Sequence, residues 1–450
     1  MKYKIYLSIL LLVVLFSSII TFIALPLKIL MILAIGGFFY INFVNYNLQV
    51  EILIFMLPLT DMLNSLSNEK YKSILGIYII ILFIYSLLKY NNKTIFKEKI
   101  IGIFIIYILI CLLSIIYVPN KLGAIEEVTR YVVIGSTVGI VYGYVNNINK
   151  AAKIFKIFIF SGIMPIIVGI LQIIFKSGMM YGEYDRVIST FGHSSKSGFF
   201  FSAFSLIMIL IFISKNEKLF FKNKIIIRIM LILSLLLLYK TYTRSAWINF
   251  IIVFIIMLIT WYRKLIIYLI YIGLPLTILL WKNLKTRFFE EVGSTGPLVI
   301  NIGGLNITGS YASRVYFWIY GLKNMFIKNI FLGTGISSFY YTYSQIMHSE
   351  LIGRPESVEM HNDFIKILCE LGIIGASVYL ISLVLVLKEL IVGLKNTKNE
   401  ISILIFRATI LIYVMAIIAH FSDALLRLFS IELIVATLIG ISIKLKKIER

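Results

Sequence analysis

The stretch HNDFIKILCELGIIGASVYLISLVLVLK, residues 361–388, decides the fold. From Leu371 to Leu387 it carries no charged residue. A run of roughly 20 apolar residues, rising 1.5 Å each, crosses the hydrocarbon of a bilayer. Water is the wrong solvent for such a helix, and lipid is the right one.

Outward from 361–388 the pattern recurs along the chain. Candidate spans lie at 5–23, 28–45, 49–64, 72–89, 99–117, 131–148, 153–175, 195–214, 225–240, 245–262, 264–281, 361–388, 401–419 and 427–444. The span at 49–64 is short, contains Pro58 and ends on Asp61, and 245–262 is parted from 264–281 only by Arg263. The expectation is an all-α, polytopic integral membrane protein with about twelve to fourteen transmembrane helices. Composition agrees: 60% of the 450 residues are hydrophobic and 14% charged, where soluble domains carry about a quarter charged. Met1 to Lys4 and the apolar run after them resemble a signal peptide, but no small-x-small cleavage site lies near Ala24, so a retained first helix is expected. Cys111 and Cys369 both sit in apolar runs and read as small buried hydrophobes.

The formal charge of +22 would suggest nucleic acid in a soluble protein. Here the cations occupy short gaps between spans, and no basic face carries interleaved aromatics, so no nucleic acid partner is expected. The gaps Lys89–Lys99, Lys150–Lys153, Lys215–Lys224, Lys388–Lys398 and Lys444–Arg450 alternate onto one side, which the positive-inside rule makes cytoplasmic, with both termini. The other side holds the acidic loop residues Glu126, Glu127, Glu183, Glu290, Glu291, Glu350 and Glu356. Four regions follow: N-terminal helices 1–175, central helices 176–281 with Arg-bearing outer loops, a large extracytoplasmic loop 282–360, and C-terminal helices 361–450. Gly293–Gly309 of the large loop is rich in Gly, Ser and Asn, whereas Tyr311 to Lys328 places Val315, Trp318, Ile319, Leu322, Met325 and Phe326 at helical spacing. An amphipathic interfacial helix broken by Gly333 and Gly335 is expected there.

The polar groups worth attention cluster at the outer ends of spans. His361 opens a long helix, where the dipole favours a neutral imidazole able to accept a hydroxyl proton. The same position suits a plain interfacial cap, with Asn362 or Asp363 satisfying free amides. Glu370 lies about two and a half turns down and on the opposite side of the axis from His361. It reads as a structural group, with Gly372 and Gly375 allowing close packing. Arg186, Arg244 and Arg314 all lie on the outer side, against its charge bias. Each alone is a lipid-headgroup anchor; converging, they would bind a pyrophosphate bidentately. His193 is a polar contact of the 186–197 loop or a second acid or base. His348 carries no clear signal, and His420, Asp423 and Arg427 form a compact polar cluster between the last two spans. No metal-ligand spacing, phosphate-binding Gly loop or serine-nucleophile motif is present.

His361-Asn362-Asp363 followed by Glu370-Leu-Gly372-Ile-Ile-Gly375 closely resembles the signature of the O-antigen polymerase and O-antigen ligase family, a His that opens a helix and a Glu-x-Gly-x-x-Gly element. Ser313-Arg314 with Trp318, Gly333-x-Gly335, Thr243-Arg244-Ser245, and Arg186 with Phe191-Gly192-His193 are similar to other parts of that family, so the resemblance covers roughly 180–380. It implies a metal-independent, cofactor-free, inverting glycosyl transfer from an undecaprenyl-pyrophosphate-linked oligosaccharide at the outer face of the bacterial cytoplasmic membrane. His361 would activate the acceptor hydroxyl, and Arg186, Arg244 and Arg314 would bind the leaving pyrophosphate. Asn362, Asp363, Glu370 and His193 would support them, with membrane lipid and a chain-length regulator as further partners. Composition rich in Ile, Lys, Asn, Tyr and Phe points to an A+T-rich genome and leans toward polymerisation of a surface polysaccharide. A ligase acting on lipid A core, protein or wall is the alternative. A transporter of lipid-linked sugars is the competing class, disfavoured by the lack of an internal repeat and by polar groups gathered at one face.

Overall fold

A computed structural model of the chain describes residues 45–67, 71–89, 92–181, 184–214, 224–267, 271, 300–302, 305–307, 309–339, 341–342 and 359–449. The expected spans 5–23 and 28–45, most of 264–281, most of Gly293–Gly309, and Glu183, Glu290, Glu291, His348, Glu350 and Glu356 lie outside them. The chain divides into residues 1–52 and 53–450. The described part of the first is the start of α1 (Tyr46–Met56).

The second unit is helical: α2 (Thr60–Leu66), α3 (Tyr71–Lys89), α4 (Lys99–Ser114), α5 (Lys121–Tyr144), α6 (Ile148–Ser161), α7 (Ile163–Phe175), α8 (Ser194–Ile213), α9 (Lys224–Lys240), α10 (Arg244–Trp261), α11 (Gly309–Gly321), α12 (Asp363–Asn396), α13 (Glu400–Ser422) and α14 (Phe429–Ile448). Two short antiparallel pairs sit in loops: β1 (Met179–Tyr181) with β2 (Tyr184–Arg186), and β3 (Ile300–Ile302) with β4 (Leu305–Ile307). Among the described residues seven helical stretches are long and apolar enough to cross a membrane. The chain is an all-α polytopic membrane protein.

Burial shows how lipid replaces water. On α3 the exposed Ile74, Ile77, Ile81, Ile84 and Leu88 follow helical spacing, and so do Ile248, Ile251, Ile255 and Ile259 on α10. Such apolar stripes are stable only against hydrocarbon. By contrast α8 is buried almost all round, with Phe199, Phe200, Phe201 and Phe204 in its core, and α14 likewise. These two are the inner helices.

Start signals are mostly asparagine. Asn120, Asn147, Asn362 and Asn399 cap α5, α6, α12 and α13 with side-chain oxygens on free backbone N–H groups. The Asn120 cap starts α5 at Lys121, well before the apolar run at 131 that the sequence marked.

Helix α12 is not continuous. Gly372, inside α12, has φ 63° and ψ −168°, a region reserved for glycine. The segment after α11, a π-helical turn (Leu322–Phe326) and the loop beyond it, lies against this break. Thr334 and Gly335 N–H donate to the carbonyls of Cys369 and Glu370, while Ile373 and Ile374 N–H donate to Ile330 and Phe331. The loop thus takes up backbone groups that the broken helix leaves open, a requirement in a low-dielectric interior. The sequence read Gly372 as a packing residue; it is a backbone break. A Cβ on Gly372 would lie 2.3 Å from the Phe331 carbonyl oxygen. Gly372→Ala is therefore expected to destabilise the protein by about 2–4 kcal/mol. Gly102→Ala in α4, where a Cβ meets nothing within 4 Å, is expected to be neutral or mildly stabilising. Thermal unfolding of the two solubilised variants checks the contrast.

Candidate functional site

The site lies at the end of the bundle where α12 starts and α13 ends. His361 precedes the helix rather than lying in it, and its backbone is left-handed, with φ 49°. Two neighbours hold it there. Trp318 of α11 donates its indole N–H to the Met360 carbonyl at 2.6 Å, and Asn362 caps α12 by accepting from Ile365 N–H at 3.0 Å. Met360 is buried among Phe317, Tyr320, Met325, Phe339 and Cys369. A non-glycine residue in a sparsely populated conformation, over-determined by its surroundings, is the pattern of a functional position.

His361 Nδ1 lies 3.1 Å from Asp423 Oδ1. An ionised carboxylate can only accept, so the ring proton belongs on Nδ1 and Nε2 keeps its lone pair. Burial alone would raise the Asp423 carboxyl. The His361 hydrogen bond, the Arg314 charge and the Ala424 N–H together hold it below the ordinary carboxylate range. Arg314, on α11, donates from Nη1 to the Ser422 carbonyl at 2.8 Å, one residue from Asp423. His361 is thus bonded to the Asp423 carboxylate and Arg314 stands near enough to act on it by charge.

Arg186 arrives on β2 and is buried. Its Nε donates to the Thr241 carbonyl at 2.9 Å and its Nη2 to Thr243 Oγ1 at 3.0 Å. Thr243 Oγ1 in turn donates to the Ser194 carbonyl at the start of α8. Arg186 therefore braces the turn that begins α10, and Arg244 is the first residue of that helix. His193 caps α8, its Nδ1 accepting from Ser195 N–H at 3.1 Å. Its ring reaches solvent yet is hemmed in by the neighbouring helix ends. Desolvation first, then the Arg186 charge, pulls it below the ordinary imidazole value, while Asp423 and Glu359 act the other way.

Asp363 and Glu370 border the same recess as His361 but are held by other partners. Asp363 Oδ2 pairs with His420 Nδ1 at 2.7 Å and accepts from Leu426 N–H at 3.0 Å, fastening α12 to α13 and to the turn Leu425–Arg427. Glu370 accepts from the backbone N–H of Ser337 at 3.0 Å and of Phe339 at 3.1 Å, and Lys366 Nζ stands 3.6 Å away. Lys366 also pairs with the buried Glu127 of α5.

In the sequence Asp423 shows only as part of a polar cluster with His420 and Arg427. The pairing with His361 spans sixty-two positions of sequence and leaves no local signature. Glu127 and Lys366 were missed as partners. The signal was available in the spacing Lys366–Glu370, a charged i,i+4 pair inside an apolar run.

Residues 229–380 match the family described as O-antigen ligase. Over that segment, about a third of its length, the chain is similar to the O-antigen ligase family. None of the curated proteins compared with the chain matches it. The matched segment contains Arg244, Arg314, His361 and Glu370, whereas Arg186, His193, Asp423 and Arg427 fall outside it. The family goes with a glycosyltransferase-like membrane enzyme acting on lipid-linked polysaccharide.

Proposed function

We propose that the protein polymerises undecaprenyl-pyrophosphate-linked oligosaccharide repeat units into a surface polysaccharide, by inverting transfer at the extracytoplasmic face of the cytoplasmic membrane. The observation that carries a transfer reaction is His361 hydrogen-bonded through Nδ1 to Asp423, with Arg314 beside that carboxylate. Nε2 takes the proton of the acceptor hydroxyl as its oxygen attacks the anomeric carbon of the donor sugar. The bond from that carbon to the phosphate oxygen breaks on the opposite face, so the configuration inverts, and the electron pair leaves with the lipid pyrophosphate. Asp423 is a positioning residue, which fixes the tautomer and steadies the imidazolium. Arg314 supplies N–H donors and charge to the leaving group, Arg244 a second guanidinium, and the buried Arg186 a fixed positive potential. Chemistry of this type needs no metal or cofactor from the protein.

Arg314→Lys keeps the charge and loses the planar fork. Transfer, measured as kcat/KM for the lipid-linked donor, is expected to fall about 10–100-fold with membrane insertion intact. Equal rates for Lys and Arg would take Arg314 out of the leaving-group site.

Polymerase and ligase differ only in acceptor, and the family description favours the ligase as the second reading. Gel analysis of surface polysaccharide separates them. In cells lacking the protein, single repeat units on the final acceptor in place of a ladder support the polymerase. Long chains accumulating on the lipid carrier support the ligase. An unchanged ladder, if no second enzyme is found, removes both.

A further inference from the structure

A fourth arginine stands at the site. Arg427 closes the turn Leu425–Arg427, whose neighbours Ala424 and Leu426 bond to Asp423 and Asp363, so its backbone is set by the groups that orient His361 and α12. Its Nη1 lies 2.9 Å from Glu359 Oε1. Both side chains are partly open to solvent, 30% and 27% exposed. Arg427, Glu359 and His361 line one recess, which holds only about 10 Å³, room for a single water.

Glu359 is out of place for a site that takes an anion. Its carboxylate sits on the Arg427 guanidinium, beside His361 in the same recess, where an anion would seek a cation. A carboxylate on the Arg427 guanidinium competes with any other anion for the same N–H donors. The backbone need not move to resolve this. Met360 is buried and its carbonyl is held by Trp318, so the Glu359 side chain alone can turn away.

We propose that Arg427 is a fourth pyrophosphate-binding cation, and that Glu359 occupies its guanidinium in the resting state as an internal stand-in for phosphate. The proposal rests on the lipid-pyrophosphate donor named above. The incoming diphosphate displaces Glu359 from Arg427, opens the recess beside His361 and gains a bidentate contact. Empty protein keeps its cation satisfied by the glutamate.

The test is titration calorimetry of the full-length protein in lipid nanodiscs with farnesyl pyrophosphate, with farnesyl monophosphate for comparison. Glu359→Gln removes the competing charge and is expected to bind the pyrophosphate about tenfold more tightly. Arg427→Ala is expected to bind it at least tenfold more weakly, Arg427→Lys to fall between, and Arg427→Ala with Glu359→Gln to match Arg427→Ala alone. If Arg427→Ala does not fold, Glu359→Gln and Arg427→Lys decide the matter. Unchanged affinity in both of those variants, beside a clear loss in Arg314→Ala, overturns the proposal and leaves the donor reading standing. Wild type that binds neither ligand, with Arg314→Ala no different, overturns the donor reading and this proposal together.

Discussion

His361→Ala loses glycan transfer by about 10²–10⁴-fold, the usual worth of a positioned general base. The variant inserts and folds normally, because the His361 side chain is partly exposed and its polar contact among the described residues is with Asp423. Asp423→Asn is the sharper companion. It keeps the shape but can hold the ring in the wrong tautomer, with the proton on Nε2, so it too is expected to lower kcat strongly while leaving donor KM near wild type. The assay is transfer between lipid-linked oligosaccharides in proteoliposomes. A near-normal rate for His361→Ala would remove the general-base assignment, and a loss confined to KM would make His361 a binding residue instead.

Lys366→Met is the largest expected loss of stability, about 3–5 kcal/mol. Lys366 is buried between Glu127 and Glu370, and its side chain is 9% exposed against 6% and 1% for theirs. Without the ammonium group two carboxylates remain in the interior. Glu370 still has the Ser337 and Phe339 N–H groups, but Glu127 loses the partner that ties α5 to α12. Because Glu370 also anchors the loop against the Gly372 break, the damage spreads to the contact between that loop and α12. Denaturant unfolding of the solubilised protein measures it. Glu127→Gln added to Lys366→Met is expected to recover part of the loss, since the two sites are coupled. Equal stability of Lys366→Met and wild type would mean that the three groups do not form a network.

The membrane-spanning elements were legible because the solvent imposes them. A helix in hydrocarbon must be long and apolar whatever its neighbours, so α3, α8, α10 and α13 could be read within a few residues of their bounds, whereas α12 runs on to Asn396, eight residues past the expected end and through most of the basic gap Lys388–Lys398. Element starts were less legible, since α5 depends on a single cap at Asn120 placed before a mixed stretch. The break at Gly372 was hidden for another reason. A glycine in an apolar run looks the same whether a helix packs on it or a loop enters beside it.

Of the site, the residue types were in the sequence and the constellation was not. Composition and hydropathy alone determined a polytopic helical membrane protein, and local motifs alone singled out His361, Arg186, Arg244, Arg314 and Glu370. Tertiary structure decided what each touches. It set Asp423 on His361, Arg314 beside that pair, Arg186 on the Thr241–Thr243 turn, Glu370 on the Ser337–Phe339 backbone, and Glu359 on Arg427. The physical reason is range. Partition into lipid acts on each segment by itself and is written in its composition. Hydrogen bonds and ion pairs act over about 3 Å between atoms far apart in the chain, and only the packing of the helices brings them within reach.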